Sequence, residues 1–240
     1  MDKTVKVCVS GGAGYLASFL VKQLLVRGYT VHATLRTLGD ASKVGLLQGL
    51  QLDHHQAAGS RLKLFEADIY RADEFGAAIE GCEFVVHMAT PLQHYAHNSQ
   101  DYIHSKTVAE KEVLSYNGKG IEVVSLACGL VGGDTIQSSM AESMGVLISQ
   151  ATNDGSSYKV LRVLEDLLAK VPIAHIQDVT EAHIFSMENS HINGRFIEDT
   201  RRETSWGSRK LEDLGFQYKC DAEKIIEDSL LCAKRLGNII

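Results

Sequence analysis

A cluster of three glycines between a strand-like and a helix-like segment limits what this chain folds into more than any other feature. The glycines are Gly11, Gly12 and Gly14, and they follow a β-branched run at residues 5–9. Apolar residues then recur at helical spacing until Gly28, a typical helix stop, and residues 30–36 form a second strand pattern. Strand, glycine turn, helix and strand over about thirty residues make up the βαβ unit of dinucleotide-binding proteins.

The positions of these glycines suit the binding of a pyrophosphate. The N-terminus of a helix presents unpaired N–H groups and the positive end of its dipole, and a glycine lets the backbone approach the phosphates closely. Ala17 is small enough for the helix to pack on the strand. The cluster matches both G-x-G-x-x-A from Gly12 and G-x-x-G-x-x-A from Gly11. The alternative is a tight turn without a ligand, but the flanking strand and helix favour a nucleotide site.

The end of the second strand distinguishes between the two nicotinamide cofactors. NAD sites carry an Asp or Glu there, which binds the ribose 2′-hydroxyl. This strand ends at Arg36 with no acid before Asp40, and Lys43 follows shortly after. Guanidinium and ammonium groups suit a 2′-phosphate, so the pattern predicts NADPH as the cofactor, unless Arg36 is only a solvated surface residue.

Two further strands extend the predicted sheet. Leu62–Ala67 alternates in hydrophobicity and ends at Asp68, and a short helix follows at residues 75–79. Phe84–Ala89 is continuously apolar, which predicts a central parallel strand buried on both faces. Ligands bind at the carboxyl ends of such strands, where Asp68 and Ala89-Thr90 lie. Asp68 is equally suited to capping the segment that follows it.

A tyrosine and a lysine one helical turn apart form the candidate catalytic pair. Tyr102 and Lys106 are i and i+4 in a run of helix-forming residues, so they share one face of a helix. A neighbouring ammonium lowers the pKa of a tyrosine, ordinarily about 10, and lets the phenol exchange protons at neutral pH. Such pairs are common on ordinary helices, but behind a nucleotide fingerprint the pair favours catalysis.

These motifs together resemble the extended short-chain dehydrogenase/reductases, and they are most similar to plant dihydroflavonol, anthocyanidin and cinnamoyl-CoA reductases. The resemblance rests on G-x-x-G-x-x-A from Gly11, on Arg36 and Asp68, and on the Tyr102-x-x-x-Lys106 motif. Family-like phrases at residues 7–12, 28–36, 87–91, 175–183 and 210–216 extend it over nearly the whole chain.

The resemblance implies NADPH-dependent hydride transfer to a carbonyl group of a flavonoid or phenylpropanoid substrate. Tyr102 then protonates the developing oxyanion, while Lys106 holds the ribose hydroxyls and lowers the pKa of Tyr102. It also implies that Gly11, Gly14 and Ala17 seat the pyrophosphate, Arg36 and Lys43 the 2′-phosphate, and Asp68 the adenine. The candidate cofactor-binding residues are, in full, Gly11, Gly12, Gly14, Tyr15, Leu16, Arg36, Lys43, Asp68, Ile69, Ala89, Thr90, Tyr102 and Lys106.

The chain departs from the family pattern at two places. The family has a helix and a further strand, ending in a catalytic serine, before the Tyr102 helix; here only residues 89–101 are left for them. A crossover alone needs about 10–12 residues, so the strand and its serine are expected to be absent. The nearest hydroxyls, none of them at the position of the serine, belong to Thr90, Ser99 and Ser105. A second shortening follows Phe196.

Composition narrows the classes of function. The net charge is −6 without a basic block, which argues against nucleic acid or an anionic membrane as a partner. No apolar stretch reaches the length of a membrane span, and no signal-peptide pattern is present. The five cysteines are scattered without a C-x-x-C pair, which is typical of reduced thiols in a cytoplasmic protein, and no metal site is expected.

The expected fold is α/β: a doubly wound parallel Rossmann sheet that lacks one strand, with a small C-terminal substrate lobe. Residues 1–132 form the NADP-binding domain and residues 133–240 the lobe, from which segments such as 171–180 return to the sheet. The function expected first is an NADPH-dependent reductase of the dihydroflavonol/anthocyanidin type with a small aromatic, flavonoid-like substrate. The alternative is a non-catalytic NADPH-binding pseudoenzyme or sensor, which the loss of the serine strand favours.

Overall fold

The computed structural model describes residues 5–52, 61–89, 99–169, 171–196 and 209–239, with the backbone alone at 51–52, 99–103 and 209. The chain divides into two compact units, Met1–Pro91 and Leu92–Ile240. The boundary expected after residue 132 separates a cofactor-binding part from a substrate-binding part, which is a division by function. It stays a prediction.

A four-stranded parallel sheet forms the first unit. Its strands are β1 (Lys6–Ser10), β2 (Thr30–Leu35), β3 (Leu62–Glu66) and β4 (Phe84–His87), in the order β3-β2-β1-β4. The connections contain α1 (Tyr15–Val26), α2 (Ala41–Leu52) and α3 (Gly76–Ile79), the last preceded by a 3₁₀ turn at Ala72–Phe75. This strand order is that of the first four strands of a Rossmann fold, so the α/β class with a parallel sheet is confirmed.

The two central strands supply the core of this unit. β1 and β2 pair in register from Lys6 opposite Thr30 to Val9 opposite Ala33. All side chains of β1 after Lys6 are buried, as are those of β2 after Thr30. Helix α1 covers them with side chains that are themselves fully buried, namely Leu20, Val21 and Leu24. Both strands therefore have the continuous burial that a parallel strand covered by helices requires.

The parallel strand predicted within residues 84–89 is present, but the prediction that it is central and buried on both faces is wrong. β4 pairs with β1 on one side, from Val7 opposite Phe84 to Ser10 opposite His87, and no described strand pairs with its other side. Val86 is 9% exposed, whereas Val85, which points to the opposite face, is 58% exposed. The apolar run lies at the sheet edge because the described part of the chain adds no strand beside it.

Two short parallel pairs of strands form the sheets of the second unit. β5 (Val124–Leu126) pairs with β8 (Gly194–Phe196), and β6 (Leu130–Gly132) pairs with β7 (Ile173–His175). The helices of this unit are α4 (Ser99–Leu114), α5 (Glu142–Leu147), α6 (Gly155–Leu168), α7 (Ile176–Glu188), α8 (Arg209–Asp213) and α9 (Ala222–Arg235). None of the helices in the described ranges combines the length and apolar character needed to cross a bilayer.

A buried carboxylate joins α7 to the segment before α9. Asp178 is 2% exposed, and its two oxygens accept hydrogen bonds from the backbone N–H groups of Lys219 and Cys220, each at 3.0 Å. His175 caps α7, since its Nδ1 accepts from the Gln177 N–H at 3.2 Å. The two Asp178 hydrogen bonds connect segments of the second unit that are about forty residues apart in the sequence.

Helix α6 has an apolar stripe that the described part of the chain leaves uncovered. None of its residues is buried, and Val160, Val163 and Leu167 lie on one face at helical spacing. Leu167 is 74% exposed. The second unit therefore exposes apolar surface on a helix, as the first unit does at β4.

Candidate functional site

The glycine turn leaves no room for a side chain at two of its positions. Gly11 has a φ of +64°, and a Cβ there would lie 3.0 Å from the Cα of Ala89. A Cβ on Gly12 would lie 2.7 Å from the Cβ of Ala33 on β2. The Gly12 N–H donates to the Thr34 carbonyl at 2.8 Å, and the Gly11 N–H donates to Thr34 Oγ1 at 3.2 Å. The turn is thus held closely against β2 and against the segment after β4.

The amino end of α1 is open to an anion. Gly14 occupies the N-cap position and supplies no side chain, and the first turn of the helix contains no acidic residue. Gly14 is exposed, and Tyr15 and Leu16 are partly exposed. A helix N-terminus that no carboxylate neutralises, next to a backbone without Cβ atoms, fits the pyrophosphate of a dinucleotide.

The two candidate cations for a 2′-phosphate differ in their surroundings. Arg36 is exposed just after β2, and the ion pairs formed among the described residues do not include it. Lys43 forms an ion pair with Asp40, with 3.0 Å between Nζ and Oδ2. Hydrogen bonds from Ser42 and then from Lys43 hold the pKa of the Asp40 carboxyl well below its ordinary value. Arg36 is therefore the cation more available to a ligand, while Lys43 is shared with a carboxylate.

Asp68 caps the segment that follows it, one of the two roles that the sequence offers. Its Oδ1 accepts from the Tyr70 N–H at 3.0 Å, and its own N–H donates to the Glu74 carboxylate at 2.8 Å. Capping leaves the second oxygen of Asp68 for other contacts, and Ile69 beside it is partly exposed. The contact of either residue with an adenine stays a prediction.

Sequence reasoning missed three polar residues that form the walls of the glycine turn. Thr34 holds the turn from β2, as described above. Ser10 at the end of β1 is 1% exposed, and its Oγ accepts from the N–H groups of Met88 and Ala89 at 3.0 and 3.1 Å. The same Oγ lies 2.9 Å from Nδ1 of His87, the last residue of β4. Their positions in the sequence could have indicated these residues, since each of the three lies at or next to the carboxyl end of a strand.

The candidate catalytic pair lies on α4 in the second unit. Tyr102 and Lys106 are one turn apart on this helix; the Tyr102 side chain lies outside the described residues, and Lys106 is partly buried. Glu110, one turn further on, accepts from Ser125 Oγ of β5 at 2.5 Å and from Arg195 Nε of β8 at 3.0 Å. These contacts anchor α4, and with it the backbone of the pair, on the sheet formed by β5 and β8.

Neither the hydroxyl groups nearest in sequence to the expected serine nor a metal centre adds a described group to this site. Thr90 and the Ser99 side chain lie outside the described residues, and Ser105 is exposed on α4. Within the described ranges, no three His, Cys, Asp or Glu side chains are placed to hold a metal ion.

The strand order, the glycine turn and the open amino end of α1 define a Rossmann-type protein with a site shaped for a dinucleotide. A model of the NAD dependent epimerase/dehydratase family matches the chain in two pieces, residues 7–101 and 93–196. The chain belongs to this family, and the family recognition made from the sequence is confirmed. The two pieces meet at residues 93–101, within the first of the two expected shortenings.

The chain is similar to plant reductases over most of its length. It is 25% identical to the dihydroflavonol 4-reductase of Gerbera hybrida, over 98% of this chain and 88% of that protein. It is 27% identical to a (2S)-flavan-3-ol-forming anthocyanidin reductase of Vitis vinifera, over 79% of this chain and 75% of that protein. The Gerbera alignment runs over 333 positions while the chain has 240 residues, so at least 93 positions have no counterpart here.

Solved structures agree on the fold. Vestitone reductase from alfalfa (Medicago sativa) superposes with a TM-score of 0.75 at 23% identity, over 98% of this chain and 99% of that one. The yeast methylglyoxal/isovaleraldehyde reductase Gre2, solved with NADPH, superposes with a TM-score of 0.67 at 15% identity, over 98% and 100%.

Proposed function

We propose that the chain is an NADPH-dependent reductase of the dihydroflavonol/anthocyanidin reductase type, acting on the carbonyl group of a small flavonoid-like substrate. The observation that carries the proposal is the glycine turn, in which a Cβ at Gly11 or Gly12 would meet Ala89 or Ala33, in front of a helix that no side chain caps. Membership of the epimerase/dehydratase family supports a nicotinamide cofactor, and the curated relatives named above are reductases.

The residues of the first unit would bind and orient the cofactor. The N–H groups of Gly11, Gly12 and Gly14 donate within the protein, so the part of these glycines would be to let the pyrophosphate approach the amino end of α1 without a Cβ in the way. Arg36 pairs with the 2′-phosphate, with Lys43 contributing once Asp40 releases it, and Asp68 and Ile69 face the adenine. NADPH supplies the hydride when bound.

The residues of α4 would manage the proton. Tyr102 donates its phenolic proton to the oxygen of the substrate carbonyl, because the Lys106 ammonium favours the phenolate that remains. Lys106 also holds the ribose hydroxyls. Both roles follow from the similarity to the reductases and are proposals for this chain.

The expected loss of the serine strand limits the rate of this reaction. Loss of one donor to a developing oxyanion lowers turnover by about 10²–10³. The edge position of β4 among the described strands agrees with that loss. A second candidate function follows from this observation: an NADPH-binding pseudoenzyme or sensor in which cofactor binding persists without turnover.

Cofactor binding is tested with the full-length chain by titrating NADPH and NADH against intrinsic fluorescence. A charge-assisted hydrogen bond contributes about 1.5–3 kcal/mol, so Arg36→Ala is expected to weaken NADPH about 10–100-fold and to leave NADH binding unchanged. Arg27→Ala is the matched control, because Arg27 is also exposed but caps the opposite end of α1. No NADPH binding by the wild-type chain would refute the proposal.

Catalysis is tested by following NADPH oxidation with dihydroflavonol and anthocyanidin substrates. Turnover that disappears in Tyr102→Phe supports the reductase. Binding of NADPH without turnover that depends on Tyr102 supports the pseudoenzyme instead.

A further inference from the structure

The hydroxyl of Ser10 has all its hydrogen-bonding capacity committed at one wall of the glycine turn. A hydroxyl has two acceptor sites and one donor hydrogen. The backbone N–H groups of Met88 and Ala89 occupy the two acceptor sites at 3.0 and 3.1 Å. The hydrogen therefore points to Nδ1 of His87, 2.9 Å away, and Nδ1 must be the acceptor.

This arrangement determines where the backbone after β4 lies. A Cβ on Gly11 would lie 3.0 Å from Ala89 Cα and 3.3 Å from Ala89 N, so the glycine and the Ala89 backbone are in close contact. Ser10 immediately precedes Gly11, and its hydroxyl holds the opposing backbone from the buried end of β1. His87 itself is exposed at the end of β4 and is not part of the core.

We propose that His87 is a positioning residue for cofactor binding, which acts through the Ser10 hydroxyl to hold the Met88–Ala89 backbone beside Gly11 at the amino end of α1. The inference rests on the proposed function, because it takes this turn as the NADPH site. Without an acceptor at His87, the Ser10 hydrogen is left unpaired in a buried position. The hydroxyl then reorients and gives up one of its two backbone donors, so the wall of the turn is no longer fixed.

Two substitutions of His87 separate positioning from simple packing. His87→Leu removes the acceptor, whereas His87→Asn keeps an amide oxygen near the position of Nδ1. His191→Leu is the control, because His191 is an exposed histidine of the second unit. We expect His87→Leu to weaken NADPH binding by the full-length chain about tenfold, the worth of one hydrogen bond, and His87→Asn to bind within about twofold of wild type.

Hydrogen–deuterium exchange of the cofactor-free protein provides a second measurement. The peptide that contains Met88 and Ala89 is expected to exchange faster in His87→Leu and at the wild-type rate in His87→Asn. The urea midpoint of His87→Asn is expected to stay close to that of wild type, whereas His87→Leu is expected to lower it modestly, because the buried Ser10 hydroxyl loses its acceptor.

The outcomes distinguish this inference from the function on which it rests. Equal NADPH affinities of wild type and His87→Leu would refute the positioning role and leave the cofactor site in place. Equal weakening in His87→Leu and His87→Asn would also refute it, since the acceptor would then be irrelevant. Failure of the wild-type chain to bind NADPH would refute the proposed function and the role of His87 together.

Discussion

Replacing Gly12 by alanine tests the close packing on which the candidate site depends. The added Cβ would lie 2.7 Å from the Cβ of Ala33, which is fully buried on β2 and has no rotatable side chain to move aside. Accommodating a methyl group in such a place costs about 1–3 kcal/mol. In a domain of this size about 1 kcal/mol shifts the thermal midpoint by 2–4 °C, so Gly12→Ala is expected to lower it by about 2–12 °C.

Alanine at Gly45 is the matched control, and its expected effect on the free energy of unfolding has the opposite sign. Gly45 lies inside α2, and a Cβ there would meet nothing within 4 Å. Alanine favours a helix over glycine by about 1 kcal/mol, so Gly45→Ala is expected to raise the free energy of unfolding. Circular dichroism melts and urea titrations of both variants measure the difference. A Gly12→Ala protein as stable as wild type would show that the approach of the turn to β2 is not the tight contact inferred here.

Three further predictions concern the edge strand, a buried carboxylate and pH. Val85→Thr is expected to change the free energy of unfolding in urea titrations by less than about 0.5 kcal/mol, whereas Val86→Thr destabilises, because Val85 is exposed and Val86 is buried. Asp178→Ala is expected to cost about 2–5 kcal/mol in urea titrations, because two hydrogen bonds to a buried carboxylate are lost; an unchanged midpoint would contradict this. Burial lowers the pKa of His183 below its ordinary value of 6.5, so the folded state binds its proton less readily and stability falls as the pH drops below that value. His183→Gln is expected to lose less stability than wild type between pH 7 and pH 5, and an identical loss would contradict this.

The part of the fold that could be predicted from the sequence depends on local patterns. β1, the glycine turn, α1 and β2 follow one another within residues 6–35, so spacing alone identifies them. The capping role of Asp68 is also local, because its Oδ1 bonds to the N–H two residues on.

What could not be predicted depends on residues that are distant in the sequence. The apolar run of β4 has the same pattern whether or not a neighbouring strand exists, so its edge position is not visible in the residues themselves. Ser10 and His87 are 77 positions apart, and only the register of β1 against β4 brings them together. The Lys43–Asp40 ion pair is an exception, since it joins residues only three positions apart, and the contact of Lys43 with a 2′-phosphate stays a prediction.

The first unit is expected to stay coherent without the family's serine strand, because that strand would lie at its edge. Backbone groups at a sheet edge are solvated, so they do not carry the penalty of buried unpaired groups. The exposed part of Val85 forgoes about 1 kcal/mol of burial, which is small beside a typical stability of about 5–15 kcal/mol. The contacts that form the glycine turn join Ser10, Thr34 and Ala89 within the first unit, and none of them needs a strand beyond β4. Loss of that strand is therefore expected to affect turnover far more than cofactor binding, and the two measurements on one protein sample separate these effects.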